Sequence, residues 1–216
     1  MQYKLVIFDL DGTILNTLDD LAASLNYALK KSSLPLRTTD EVRRFVGNGI
    51  RKLIERGVPE NTDDAVTDRV FDDFNEHYKV HCADKTAPYD GIKELLTKLK
   101  SAGILTAVVS NKADYAVQEL CKQYFDGMFD FTVGARDGIR KKPAPDSVNE
   151  VLSKLSTDRS EAVYIGDSDV DLETAKNAKT DCIAVSWGFR GRDFLVSHGA
   201  TVIADSAEET AKLLGV

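Results

Sequence analysis

The chain has 216 residues, 43% of them hydrophobic and 29% charged, with a net charge of −7. That is enough for one large domain, or for a core with a small accessory domain, and it is the composition of a globular protein rather than a disordered one. The acidic balance disfavours nucleic acid and anionic membrane as partners, while leaving room for a local positive pocket that takes a small anion.

No apolar run approaches the roughly 20 residues needed to span a bilayer. Met1-Gln2-Tyr3-Lys4 leads straight into an apolar strand pattern without a cleavage-site signature, so no leader is expected. Cys82, Cys121 and Cys182 are odd in number and widely spaced, with no CxxC pair. They read as inert free thiols in a reducing, cytoplasmic compartment.

In chain order, Leu5-Val6-Ile7-Phe8 is a short apolar run ending at Asp9, as expected of a strand buried on both faces. The next strand-like run, Ile104 to Val109, follows only after a long interval, far more than a crossover helix requires. That interval has its own amphipathic stripes. Leu18, Leu21, Leu25 and Leu29 form one, and Val66, Val70, Phe74 and Tyr78 another. Between them, Thr38 and Glu41 have capping-box spacing ahead of Val42, Phe45 and Val46, and Leu53-Ile54 suggests a further short helix. Residues 15–84 are therefore expected to form a helical domain inserted into a core built from 1–14 and 85–216.

Beyond the interval, helical and strand patterns alternate. Ile92, Leu95, Leu96 and Leu99 share a helix face, with Gly103 as its stop. Strand runs follow at Phe131 to Val133, Ala162 to Ile165, Cys182 to Val185 and, weakly, Thr201 to Ile203. Helical stripes fall at Val148 to Leu155, Leu172 to Ala178 and Glu208 to Leu214. The alternation predicts an α/β fold, a doubly wound parallel sheet covered by helices on both faces.

Ligand sites in such sheets lie beyond the carboxyl ends of the strands. The first strand ends in Asp9-Leu10-Asp11-Gly12-Thr13, where two carboxylates across a tight turn can face one pocket as nucleophile and acid/base, or as a cation site. Capping of a following helix is the plainer use of Asp9. The second run ends in Ser110-Asn111-Lys112, a hydroxyl and backbone N–H groups for an oxyanion, or an ordinary turn. Arg140-Lys141-Lys142-Pro143 places positive charge just before a helix, although a basic run is commonly a solvated loop. Ile165-Gly166-Asp167-Ser168-Asp169-Val170-Asp171 ends another strand with three acids, of which Asp169 reads as the helix N-cap. Acids that can hold a hard cation, a hydroxyl and a lysine at the ends of separate strands suit phosphoryl transfer.

In these segments the sequence resembles the haloacid dehalogenase superfamily over essentially its whole length. Asp9-Leu10-Asp11-Gly12-Thr13 resembles its first motif, Ser110 its second, Lys142 its third, and Gly166-Asp167 with Asp171 its fourth; the insertion resembles a C1-type cap. The resemblance implies a Rossmann-like core and a Mg²⁺-dependent phosphatase acting on a small phosphorylated metabolite. It implies Asp9 as nucleophile, Asp11 as acid and base, and Mg²⁺ held by Asp9, the Asp11 carbonyl and Asp167. Ser110, Asn111 and Lys142 would bind phosphoryl oxygens, and Asp171 would orient Lys142 or a metal-bound water. Asp11 itself points to phosphate esters, because dehalogenases of this superfamily lack an acid there.

Val46-Gly47-Asn48-Gly49-Ile50-Arg51 is similar to a cap loop of phosphoglycolate phosphatases, which implies substrate contacts from Gly47, Asn48 and Arg51. A plain helix–helix turn is the alternative. Trp187-Gly188-Phe189-Arg190-Gly191-Arg192 resembles a loop of the same subgroup, with packing as its default role. Phosphoglycolate is the leading expected substrate and a monomer or homodimer the expected assembly. A broader small-phosphate phosphatase, a pyrophosphatase, a sugar-phosphate mutase and a phospho-aspartate signalling module are the other readings.

Overall fold

The computed structural model describes residues 3–216; Met1 and Gln2, which open the segment read as lacking a leader, lie outside the described residues. The chain divides into two compact units: the described residues up to Leu15 together with Pro88–Val216, and Asn16–Ala87.

In chain order the elements are β1 (Leu5–Phe8), β2 (Leu15–Asn16), α1 (Leu18–Lys31), α2 (Thr39–Phe45), α3 (Ile50–Gly57), α4 (Asp64–His81) and β3 (Ala87–Pro88). There follow α5 (Ile92–Ser101), β4 (Leu105–Ala113), α6 (Asp114–Phe125), β5 (Phe131–Ala135), α7 (Asp146–Lys154), β6 (Ala162–Gly166), α8 (Asp169–Ala178), β7 (Asp181–Val185), α9 (Arg192–Ser197), β8 (Ile203–Ala204) and α10 (Ala207–Leu214). No helix among the described residues is long and apolar enough to cross a membrane.

The first unit is built on a six-stranded parallel sheet of order β5-β4-β1-β6-β7-β8. All four residues of β1 are buried, as a central strand covered on both faces requires. Its register pairs Phe8 with Val108 of β4 on one side and with Ile165 of β6 on the other. The residues that follow these positions are Asp9, Val109 and Gly166, so the ends of β1 and β6 and the middle of β4, distant in sequence, become neighbours. The chain runs outward from β1 through β4 and β5, then returns to the far side of β1 to lay down β6, β7 and β8. This reversal is the topological switch point where open α/β sheets bind ligands.

The structure departs from the sequence reading in places. β4 continues past Val109 to Ala113, with an irregular register between those residues, and so takes in Ser110 and Lys112. α6 is not anticipated; it buries Ala116, Val117, Leu120, Cys121 and Phe125 on a face interrupted by polar residues. The N-cap of α8 is Ser168 rather than Asp169. Cys82 and Cys121 are buried and Cys182 half-buried, and no disulfide joins them.

The second unit is four helices around Leu21, Leu25, Leu29, Leu53, Ile54, Val70, Phe74 and Tyr78, all buried. Phe74 and Tyr78, one turn apart on α4, stack at 5.2 Å between ring centroids. Thr38 and Glu41 form the anticipated capping box at the start of α2. The unit ends at Ala87, against residue 84 in the sequence reading. A cause is Asp20, 2% exposed on α1, whose carboxylate accepts from Lys85 N, Thr86 N and Thr86 Oγ1.

Asp20→Ala would take their acceptor from Lys85 N and Thr86 N, while Thr86 Oγ1 keeps Cys82 O at 3.0 Å, and one unsatisfied buried group alone costs about 1–3 kcal/mol. The variant is expected to lose about 2–3 kcal/mol, read as a lower urea midpoint of the transition that removes helical circular dichroism.

Candidate active site

Asp9 directly follows β1 and is buried. One of its oxygens, Oδ1, accepts from Leu10 N at 2.7 Å and lies 2.8 Å from Lys142 Nζ. The same ammonium donates to Asp171 Oδ1 at 2.8 Å and to the Tyr164 hydroxyl at 3.0 Å. Lys142 is thus held between two carboxylates and a phenol, 7% exposed. Burial alone would lower the pKa of its ammonium, but Asp171 and Asp9 outweigh burial and hold it well above the usual lysine value.

Lys142 reaches this position because its backbone is gripped from β4. Asn111 Oδ1 accepts from Lys142 N at 2.8 Å, and Asn111 Nδ2 donates to Lys142 O at 3.1 Å. The Asn111 side chain thus holds the lysine loop through both its oxygen and its nitrogen. The Lys142–Pro143 peptide bond is cis.

Asp171 serves the fold and the site together. Its Oδ2 accepts from Ser168 N at 3.1 Å and Ser168 Oγ at 2.6 Å, closing the first turn of α8, while Oδ1 takes the lysine. Tyr164, wholly buried on β6, places its hydroxyl within 3.2 Å of both Asp171 Oδ1 and Val109 O. Asp167 takes neutral donors instead: Thr13 Oγ1 at 3.2 Å on Oδ1 and Phe189 N at 2.7 Å on Oδ2.

Oxygens of Asp9, Asp167 and Asp171 lie within 4.8 Å of one another. Burial, followed by the neighbouring charges of Asp171 and Asp9, pushes the Asp167 carboxyl well above its ordinary range. Burial likewise raises Asp9, to about 7, against the opposing pull of Lys142. Lys142 faces Asp9 and Asp171, and Asp167 is left among neutral donors. The cluster is an all-oxygen donor set with one buried carboxylate not matched by a cation, which fits a hard divalent ion such as Mg²⁺.

Ser110 is buried within the later part of β4, its Oγ accepting from Lys112 N at 3.2 Å. Asp11, half-buried, is bound by a residue to which the sequence reading gives no role of its own: Lys112 Nζ lies 3.1 Å from Asp11 Oδ1, with 3% of the lysine side chain exposed. Lys112 and Tyr164 each had a signal. Lys112 is two residues from Ser110, hence on the same side of a strand. Tyr164 is the polar-tipped residue of an otherwise aliphatic strand, and a buried hydroxyl needs a partner.

Gly47, Asn48 and Arg51 belong to the helical unit and are described within it. Asn48 Oδ1 accepts from Arg56 Nη2 at 2.8 Å, and Arg56 Nη1 donates to Phe45 O at 2.7 Å, so Arg56 braces the turn between α2 and α3. Arg51 is paired with Glu55 at 3.2 Å and Asp68 at 2.5 Å.

A profile described as haloacid dehalogenase-like hydrolase matches residues 6–185 of the chain. The chain is 34% identical over 191 residues to a phosphoglycolate phosphatase of Aquifex aeolicus, covering 86% of each protein. It is 31% identical over 216 residues to an N-acetylmuramic acid 6-phosphate phosphatase of Pseudomonas aeruginosa, covering 99% of this chain and 96% of that protein. Among solved structures, a protein provisionally named phosphoglycolate phosphatase from Lactobacillus delbrueckii subsp. bulgaricus superposes with a TM-score of 0.93 at 40% identity, covering 99% of both chains.

A carboxyl whose pKa is higher in the folded than in the unfolded chain favours folding below the unfolded value, near 3.9, and loses that contribution as pH rises through the folded value. For Asp9 that window closes near 7. The melting temperature of the cation-free protein should therefore fall from about pH 5 to about pH 8. Added Mg²⁺ should raise it more at the higher pH, as differential scanning fluorimetry across both conditions would show.

Proposed function

The chain belongs to the haloacid dehalogenase-like hydrolase family, and from that premise we propose that it is a phosphomonoesterase using Asp9 as its nucleophile. The observation that carries this reading is the cluster of Asp9, Asp167 and Asp171 beyond the ends of β1 and β6, with Lys142 between Asp9 and Asp171.

In this reading an Asp9 carboxylate oxygen attacks phosphorus in line as the P–O bond to the alkoxide breaks, giving an aspartyl-phosphate. Lys142, Ser110 Oγ and the Asn111 backbone N–H bind the non-bridging phosphoryl oxygens. Asp11 donates a proton to the departing alkoxide, then takes one from the water that attacks the phosphoenzyme and frees inorganic phosphate. Lys112 holds the Asp11 carboxylate in place for both transfers. Asp171 and Tyr164 hold the Lys142 ammonium, and Asn111 holds its backbone. Mg²⁺, held by the Asp9 side chain, the Asp11 carbonyl and Asp167, would supply charge neutralisation between nucleophile and phosphate.

Phosphoglycolate is the substrate favoured by the Aquifex relative. Gly47, Asn48 and Arg51 are the proposed selective contacts, with Arg51 suited to a substrate carboxylate as a bidentate donor. The Pseudomonas relative supports a sugar 6-phosphate as the second reading. A panel of phosphate esters ranked by kcat/KM tests the choice: phosphoglycolate should lead, and Arg51→Ala should raise its KM while sparing an aryl phosphate. A faster rate on a hexosamine 6-phosphate would retire phosphoglycolate.

Asp9→Asn is expected to lower kcat at least about a thousandfold, with the circular dichroism spectrum kept. Retention of wild-type turnover would refute the nucleophile. Lys112→Met should lower kcat about tenfold to a hundredfold with little change in KM, as expected for a displaced acid/base. Lys112→Arg should recover part of that loss.

A further inference from the structure

The loop after β7 was singled out in the sequence and has no part in the chemistry above. Its backbone nonetheless enters the active site. Trp187 Nε1 donates to Thr13 O at 3.0 Å, and Phe189 N donates to Asp167 Oδ2 at 2.7 Å. Between them lies Gly188. A Cβ there would stand 2.3 Å from Asp167 Cβ, 2.4 Å from Asp167 Oδ2 and 2.4 Å from Gly12 O, so no larger residue fits without displacing the carboxylate or the first active-site loop. From the opposite side Gly12, at φ +87°, packs so closely that its own Cβ would meet Asp167 Oδ2 at 2.5 Å.

The loop is anchored where it leaves and returns. Ser186 Oγ donates to Asp205, and Arg192 makes a two-pronged pair with the same carboxylate at 2.9 and 2.7 Å. Arg190, midway, lies over the Phe194 ring at 5.4 Å and 3.8 Å from Asp169 at the start of α8.

We propose that Trp187-Gly188-Phe189 is a backbone strap that fixes Asp167 in the orientation needed to bind the divalent cation, with Gly188 as its indispensable contact. The inference rests on the reading of Asp167 as a cation ligand. Each oxygen of Asp167 receives one neutral donor, Thr13 Oγ1 on Oδ1 and Phe189 N on Oδ2. A carboxylate oxygen has capacity for more than one partner, so the donors settle the rotamer while leaving the carboxylate able to ligate. The strap also secures the donor that serves Oδ1, because Trp187 grips the backbone of Thr13 itself. Outer partners that orient a ligand typically carry about a tenfold to a hundredfold effect on metal affinity. Trp187, Gly188 and Phe189 are therefore positioning residues rather than catalytic ones.

The test is substrate-free Mn²⁺ binding, measured from the electron paramagnetic resonance signal of the free ion. It is run on the full chain and on Gly188→Ala, Trp187→Phe and Asp167→Asn, with folding followed by circular dichroism. Asp167→Asn should abolish measurable binding, Gly188→Ala should weaken it about tenfold or more, and Trp187→Phe several-fold. If Asp167→Asn binds Mn²⁺ as the wild type does, the cation-ligand reading and the strap both fall. If Asp167→Asn loses binding but folded Gly188→Ala keeps wild-type affinity, the strap alone is overturned. Should Gly188→Ala not fold, Trp187→Phe decides, and unaltered affinity there overturns the strap.

Discussion

Three carboxylates whose oxygens approach within 4.8 Å cannot be buried together without compensation, and much of the first unit answers that constraint. Two unit charges about 4 Å apart repel by roughly 4 kcal/mol at an effective dielectric constant near 20. Lys142 compensates Asp9 and Asp171 together, which is why the placement of one ammonium matters so much. Its side chain is held by Asp171 and Tyr164, and its backbone by both ends of the Asn111 amide. The groups come from β4, β6, α8 and the loop before α7, so the ammonium is tied to parts of the chain that only the assembled sheet brings together. Asp167 remains, and it is the carboxylate around which the neutral donors of two loops are gathered.

How much of this is legible in the sequence follows the range of each interaction. Asp9, Ser110 and Asp167 stand out because each ends an apolar run, and a parallel sheet delivers the ends of its strands to one edge. Lys142 stands out through the basic run before a helix. The pairing of Lys112 with Asp11 depends on how β4 continues past Val109 with an irregular register; the strand period puts Lys112 on the side of Ser110 but does not say which group it meets there. The strap depends on contacts between residues 187–189 and positions near 13 and 167, which no local pattern encodes. Ser168 and Asp169 are both good N-cap residues, and the choice between them lies in the reach of Asp171 back to the Ser168 N–H and hydroxyl. α6 has no clear sequence signal because its apolar positions are broken by Gln118, Glu119 and Lys122, although Ala116, Val117, Leu120, Cys121 and Phe125 are buried once packed.

Asp171 illustrates why such a site resists gradual change. Its two oxygens do different work: Oδ2 closes the first turn of α8, and Oδ1 holds the lysine that faces Asp9. A substitution there would unsettle a helix terminus and an active-site cation in one step, so its effects on stability and turnover are coupled. Asp9 has the opposite character: its Oδ1 meets Leu10 N and Lys142 and closes no helix turn, which suits the bond-forming role proposed for it.

The same economy bears on substrate choice. In the proposed mechanism every group in the cluster addresses charge or the phosphoryl oxygens: Lys142 and Ser110 by donation, Asp167 through a cation, Asp11 through the bridging oxygen. None of these contacts distinguishes a two-carbon acid from a sugar, because the bond being broken is the same in both. Discrimination must then come from side chains that touch the leaving group. Arg51 meets that chemical requirement for a carboxylate-bearing ester, but it is already engaged by Glu55 and Asp68. Exposed pairs of this kind are worth only about 0–1 kcal/mol. In the proposed reading a substrate carboxylate offering a bidentate contact outcompetes such pairs, and because N-acetylmuramic acid is itself a carboxylic acid, Arg51 would favour acid-bearing esters over neutral ones without by itself separating phosphoglycolate from that sugar acid.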